Sequence, residues 1–216
     1  LISHFEVHVW RLSCEPSGRE LTGIQDCLDE DEIARAARFR FEADRLRFVA
    51  CRLTLRRVLG RYLEEDARKI SFEYGPAGKP ALAGDREIRF NLSHSHDACV
   101  IAVARGREVG VDVEKVRELP GSEEIARRFF SPEDWSSLSG MPAERRQDAF
   151  FRFWVRNEAA IKATGLGFSA PSAGSLNVHE LPEMTTASGE RYFGAVAAEG
   201  RDWQPSERNL IDAIPE

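Results

Sequence analysis

Residues 98–114 read Ala98-Cys99-Val100-Ile101-Ala102-Val103-Ala104-Arg105-Gly106-Arg107-Glu108-Val109-Gly110-Val111-Asp112-Val113-Glu114. An apolar run of strand length, a tight loop at Arg105-Gly106-Arg107 and a second run with alternating valines predict two strands joined as a hairpin. Side chains alternate along a strand, so Val109, Val111 and Val113 take one face. Gly110, Asp112 and Glu114 take the other, and Gly110 is expected to leave room there for a ligand. Two carboxylates side by side repel unless a cation lies between them. The pair therefore reads either as a solvated sheet face or as an oxygen-rich Mg²⁺ site.

Upstream, a strand over 88–92 leads into Ser93-His94-Ser95-His96-Asp97, a segment expected to project from a sheet end. Gly75-Pro76-Ala77-Gly78-Lys79-Pro80 forces a turn. Phe48, Cys51, Leu55, Val58, Leu59 and Tyr62 follow helical spacing and predict a helix over 43–63, with its arginines mostly off that stripe. Asp29 or Asp31 can cap a first helix running to about Phe39. Residues 15–23 read as a loop, and alternation over 5–9 as a strand. Downstream, 122–130 is a short helix, and Ser131-Pro132 starts another that Gly140-Met141-Pro142 breaks. The strongest helix spans 146–164 and is closed by Gly165-Leu166-Gly167. Strand-like runs at 176–178 and 192–198 follow. Adjacent hairpins favour an antiparallel α+β fold over a parallel doubly wound sheet.

The chain has 216 residues, 42% hydrophobic and 31% charged, enough for one large domain or two halves of about 100 residues each. The apolar run 98–104 is far short of the ~20 residues of a membrane span, and no signal-peptide pattern opens the chain. A net charge of −6 argues against a nucleic-acid partner. The sign is uneven: Arg35, Arg38, Arg40, Arg45, Arg47, Arg52, Arg56, Arg57 and Arg61 fall in one block, which leaves an anionic ligand or partner open. Cys14, Cys27, Cys51 and Cys99 form no C-x-x-C or zinc spacing, and Cys51 and Cys99 read as buried hydrophobes. A reducing cytoplasm is the expected compartment.

Glu158 and Lys162 stand four apart on the strongest helix, on the side that carries Phe151 and Val155. They read either as an ordinary ion pair or as a third carboxylate and a phosphate-neutralising ammonium. Ser93 and His94 either bond turn backbone or hold phosphate oxygens. A Ser–His nucleophile pair lacks its strand-to-helix elbow, and His94 with His96 lacks further zinc ligands nearby.

The order of these pieces resembles the 4′-phosphopantetheinyl transferases, in their larger two-half type. The motifs are Gly78-Lys79-Pro80, Phe90-Asn91-Leu92-Ser93-His94-Ser95, Gly110-Val111-Asp112-Val113-Glu114-Lys115, Arg128-Phe129-Phe130-Ser131, and Phe153-Trp154-Val155-Arg156-Asn157-Glu158-Ala159-Ala160-Ile161-Lys162. The resemblance covers about 32–170. It implies an α+β fold of two pseudo-symmetric halves, 1–106 and 107–216, each an antiparallel sheet packed on a long helix, with the active site between them. It implies transfer of the phosphopantetheine arm of coenzyme A to a serine of an acidic carrier protein by a monomer. It further implies Mg²⁺ or Mn²⁺ held by Asp112, Glu114 and Glu158, with Glu158 and Lys162 catalytic. Arg35, Arg47, Lys79, Pro80, Ser93, His94 and Lys162 would hold coenzyme A, with Arg47 on its 3′-phosphate. Asn157 departs from the family's Lys. That implies weaker diphosphate binding or compensation from Arg156, and leaves a second reading: a coenzyme A- or carrier-binding protein with reduced or no turnover. Metal-dependent phosphodiester hydrolysis by the same carboxylates is a third.

Overall fold

The strand over Ala98–Arg105 has both of its edges taken, one by Ile88–Ser95 and the other by Glu6–Ser13. In this computed structural model, which describes residues 2–13, 27–84, 86–165, 176–186 and 188–208, that pairing sets the architecture. In chain order the elements are β1 (Glu6–Ser13), α1 (Glu30–Ala36), α2 (Glu42–Leu63), β2 (Phe72–Tyr74), β3 (Pro80–Leu82), β4 (Ile88–Ser95), β5 (Ala98–Arg105) and β6 (Val109–Lys115). Then follow α3 (Ser122–Phe129), α4 (Pro132–Ser139), α5 (Ala143–Thr164), β7 (Leu176–Thr185), β8 (Arg191–Glu199) and β9 (Gln204–Arg208). One sheet runs β4-β5-β1-β9, another β6-β8-β7, and β2-β3 form a small ribbon.

The hairpin expected across Arg105-Gly106-Arg107 is therefore overturned. With no free edge on β5, β6 crosses into the second sheet and pairs with β8. The hairpin lies one connection earlier: β4 and β5 pair antiparallel from Ile88↔Arg105 to Ser95↔Ala98. Only His96 and Asp97 turn between them, with His96 at φ 50°. Ser93 and His94 thus sit inside a strand rather than beyond its end.

The layers run α2, first sheet, second sheet, α5. Leu55, Leu59, Trp10, Phe90 and Ile101 pack between α2 and the first sheet. Val7, Val9, Val100, Val111, Val113 and Val196 pack between the sheets. Phe151, Val155, Ala159, Phe193 and Ala195 pack between α5 and the second sheet. β5 faces α2 with Cys99, Ile101 and Val103 and the other sheet with Val100, Ala102 and Ala104, which explains its unbroken apolar run. Each half is a sheet on a 22-residue helix. The fold is α+β as expected. β9 returns from the second half to lie parallel to β1, and it arrives by a crossover between layers, which permits that sense.

Local signals set the helix ends. Asp29 caps α1 through a reciprocal capping box with Glu32. Ser131 caps α4 ahead of Pro132. α5 starts at Ala143, three residues before the expected Arg146, and ends at Gly165 with φ 67°. Among the described residues no helix is long and apolar enough to cross a membrane. Cys14, the loop at 15–23, Leu166 and Gly167 lie outside the described residues.

Candidate active site at the junction of the two sheets

β4 and β6 edge the two sheets and are joined by side chains rather than by a ladder. Asn91 Oδ1 accepts from the Val111 backbone N–H at 2.9 Å, and Ser95 Oγ from that of Lys115 at 3.2 Å. Ser93 donates to Asp112 Oδ1 at 2.8 Å, and Ser95 donates to Glu114 Oε2 at 2.9 Å. Sequence reasoning passed over Asn91 and Ser95 as site residues; their spacing of two from Ser93 on a buried strand face is the signal that could have found them.

The face opposite the valines carries Asp112 and Glu114, as expected. Gly110 does something other than leave room for a ligand. A Cβ there would stand 2.1 Å from the Ala159 carbonyl oxygen and 2.2 Å from the Ala163 nitrogen. The missing side chain lets α5 lie directly on β6, and that contact delivers Glu158 and Lys162 to Asp112. The Lys162 ammonium donates to Asp112 Oδ1 at 2.6 Å and to Ser93 Oγ at 3.0 Å.

Asp112 is 3% exposed. Burial pushes its carboxyl pKa up, and Lys162 and Ser93 oppose this. Its second oxygen, Oδ2, is buried with no hydrogen-bond partner. The Glu158 carboxyl is also pushed up, first by burial and then by the charge of Asp112, and Glu114 adds to this. Glu158 makes no hydrogen bond to any described residue. Among the described residues no three His, Cys, Asp or Glu side chains stand in ligating geometry, and Lys162 occupies the near oxygen of Asp112. The donor chemistry still fits a hard divalent cation: a buried orphan carboxylate oxygen beside two further carboxylates, whose mutual repulsion a cation would relieve.

A cavity of about 380 Å³ opens beside these groups, and Arg35, Lys79, Pro80, Ser93, His94 and Lys162 all line it. Six of the expected site residues therefore share one wall. Lys79 is anchored rather than free: its ammonium reaches Glu108 at 2.8 Å and the carbonyls of Val109 and Ala163 at 3.0 and 3.1 Å, tying the two halves together. Arg47 is not on that wall. It binds Asp97 at 2.9 Å and Asp44 at 3.1 Å. Arg52, which does line the cavity, is 6% exposed and Arg56 1%, so the expectation that the α2 arginines lie mostly off the buried stripe fails at these two. Both are held by Glu32, a carboxylate 20 and 24 positions away, which no local periodicity could reveal. Arg156 is exposed and stands 3.8 Å from Glu180, and the Asn157 side-chain nitrogen is buried without a partner.

The chain is thus an α+β fold of two sheet-and-helix halves, with a carboxylate–lysine cluster at their junction beside a cavity lined by Arg35 and Arg52. Comparison with known proteins defines the class further. Residues 12–106 match the family model for the 4′-phosphopantetheinyl transferase N-terminal region, and residues 108–209 that of the 4′-phosphopantetheinyl transferase superfamily. The chain is 37% identical over 215 residues to the 4′-phosphopantetheinyl transferase HetI of Nostoc sp., covering 93% of this chain and 90% of that protein. It is 32% identical to psf-1 of Bacillus pumilus, covering 76% and 70%, and 32% identical to Sfp of Bacillus subtilis strain 168, covering 68% and 64%. The chain belongs to the 4′-phosphopantetheinyl transferase superfamily and is a transferase of its two-half type.

Proposed function

We propose that this protein transfers the 4′-phosphopantetheine arm of coenzyme A to a serine hydroxyl of an acidic carrier protein and releases adenosine 3′,5′-bisphosphate. The observation that carries the reading is the meeting of Asp112, Glu158, Lys162 and Ser93 beside one arginine-lined cavity. Arg35, Lys79, Pro80, Ser93 and His94 hold the donor, whereas Arg47, tied to Asp44 and Asp97, lies off the cavity and has no part in holding its outer phosphate. Asp112, Glu114 and Glu158 would hold Mg²⁺ or Mn²⁺, which when bound balances the charge of the diphosphate.

The serine oxygen forms a bond to the β-phosphorus, and the bond from that phosphorus to the bridging oxygen breaks. The electron pair leaves with the α-phosphate of the adenosine bisphosphate. Glu158 takes the serine proton; its carboxylate, made more basic by burial and by Asp112, suits a base. Lys162 neutralises the departing phosphate, and Ser93 keeps Lys162 and Asp112 in line.

Incubation with coenzyme A, Mg²⁺ and an apo carrier should add the phosphopantetheine mass to the carrier, and omission of the divalent ion should abolish the gain. No mass gain on any of several carriers would sink the reading. A binding protein without turnover is the second reading. It is favoured by the neutral Asn157, whose side-chain nitrogen finds no partner, and by Arg156 facing Glu180.

A further inference from the structure

The two carboxylates of β6 are gripped in the same way. Asp112 is held at one oxygen, Oδ1, by a serine of β4 and a cation: Ser93 donates at 2.8 Å and Lys162 at 2.6 Å. Glu114, two positions on, is also held at one oxygen, Oε2. Ser95 donates to it at 2.9 Å and Arg117 Nη1 at 3.2 Å. Both serine–carboxylate pairs are 19 positions apart, so one alternating face of β4 is matched to one alternating face of β6. In each pair the second oxygen is left over. Asp112 Oδ2 is buried with no partner, and Glu114 Oε1 makes no hydrogen bond to a described residue.

The two carboxylates differ in what else restrains them. Asp112 is buried, and packing fixes its short side chain. The Glu114 side chain is 26% exposed and has one more rotatable bond, so packing alone leaves it free to swing. Its two donors are unequal as well. Arg117 is long, its side chain is 40% exposed, and its Nη1 is shared with the Lys115 carbonyl at 3.1 Å. Ser95 is short and buried, and its Oγ is fixed from the other side by the Lys115 N–H at 3.2 Å. Its single proton goes to Glu114 at 2.9 Å in preference to His96 Nδ1 at 3.4 Å. The rigid donor is therefore Ser95.

We propose that Ser95 is a positioning residue for the reaction: by binding Glu114 Oε2 it leaves Oε1 as the oxygen that Glu114 offers, with Asp112 Oδ2, to a divalent cation. This rests on the reading of Asp112, Glu114 and Glu158 as cation ligands above. Arg117 balances the charge of Glu114 and does not orient it, and a positive charge in that place opposes a second cation.

The test is titration of the intact chain and its variants with Mn²⁺, with and without coenzyme A, read from the electron paramagnetic resonance signal of the free ion. Coenzyme A affinity in the absence of divalent ions is measured by calorimetry in parallel. Ser95→Ala should weaken Mn²⁺ about tenfold or more and leave ion-free coenzyme A binding within about twofold. Ser95→Thr, which keeps the hydroxyl on a strand that suits β-branched residues, should stay within about threefold of the intact chain. Arg117→Gln should bind Mn²⁺ as tightly as the intact chain or more tightly. Unchanged Mn²⁺ affinity in Ser95→Ala, an equal loss of ion-free coenzyme A binding, a Thr variant as weak as the Ala variant, or a tenfold loss in Arg117→Gln would each overturn the assignment and leave the function reading standing. An intact chain that takes up no Mn²⁺ with or without coenzyme A would overturn the cation reading and this assignment together.

Discussion

Glu158 is a carboxylate that the fold treats badly. It is half-buried, it makes no hydrogen bond to a described residue, and burial and the Asp112 charge both disfavour its ionised form. A side chain kept under those terms is one whose stability cost is offset by use. Glu158→Gln should therefore leave the urea midpoint unchanged or raise stability by up to about 1 kcal/mol, while phosphopantetheine transfer falls by at least about a hundredfold. A lower midpoint with transfer preserved would make Glu158 a structural residue. His8 is the opposite case, a buried group with no place in the chemistry. It is 6% exposed, and the Arg208 guanidinium donates to its Nε2 at 2.7 Å, which leaves Nδ1–H to donate to Tyr62 at 2.7 Å. Burial, aided by Arg208, pulls its pKa down from 6.5 to about 4. The unfolded chain thus takes this proton first as pH falls. The His8 contribution is complete above pH ~6.5, declines between ~6.5 and ~4, and is level below that. About 2 kcal/mol should be lost between pH 7 and pH 5, read from urea midpoints, and His8→Gln should flatten that slope.

At the scale of elements, the contact that assembles the site is β6 against α5. It rests on Gly110, where a Cβ would meet Ala159 oxygen at 2.1 Å and Ala163 nitrogen at 2.2 Å. Backbone on both sides cannot step aside. Gly110→Ala should cost on the order of 3 kcal/mol and reduce transfer with it, whereas Gly78→Ala, at a position with open space, tests only a strained φ of 77°. A Gly110→Ala chain of unchanged midpoint would show that α5 does not depend on this approach. The same glycine shows where sequence stops being readable. The helices were legible because their signals are local: Asp29 with Glu32, Ser131 before Pro132, and Gly165 at the end of α5. The carboxylate spacing of Asp112 and Glu114 and the i, i+4 pair Glu158–Lys162 were legible for the same reason. The partners of β5 were not, because an all-apolar strand carries no register and the edge that β6 was expected to take is filled by β1, more than 80 residues upstream. Gly110 read as space for a ligand when the neighbour was a helix backbone. Arg52 and Arg56 read as surface because Glu32, which pairs with both, lies on another helix.

For the molecule as a whole, net charge and local charge point in opposite directions. The chain carries −6, so an acidic carrier is repelled at long range. The arginine block is also less exposed than its sequence suggests. Arg52 and Arg56 are buried, Arg45 is paired with Glu42, and Arg47 with Asp44 and Asp97. What remains at the α1–α2 corner is Arg35, Arg38 and Arg40, all exposed, with Arg35 common to the donor cavity and to the hollow beside it lined by Arg38, Phe39 and Tyr74. Attraction from so small a patch acts only within about 10 Å at ordinary ionic strength, which is contact range, so it acts on the docked encounter more than on approach. Raising the salt from about 0.05 M to about 0.5 M should then raise the KM for an acidic carrier several-fold, with kcat nearly constant. Arg38→Gln should flatten that response without altering the affinity for coenzyme A. A KM that falls with salt would mean that the overall negative charge governs the encounter, and a KM indifferent to salt would mean that docking is apolar. In either case the carrier does not dock on this corner.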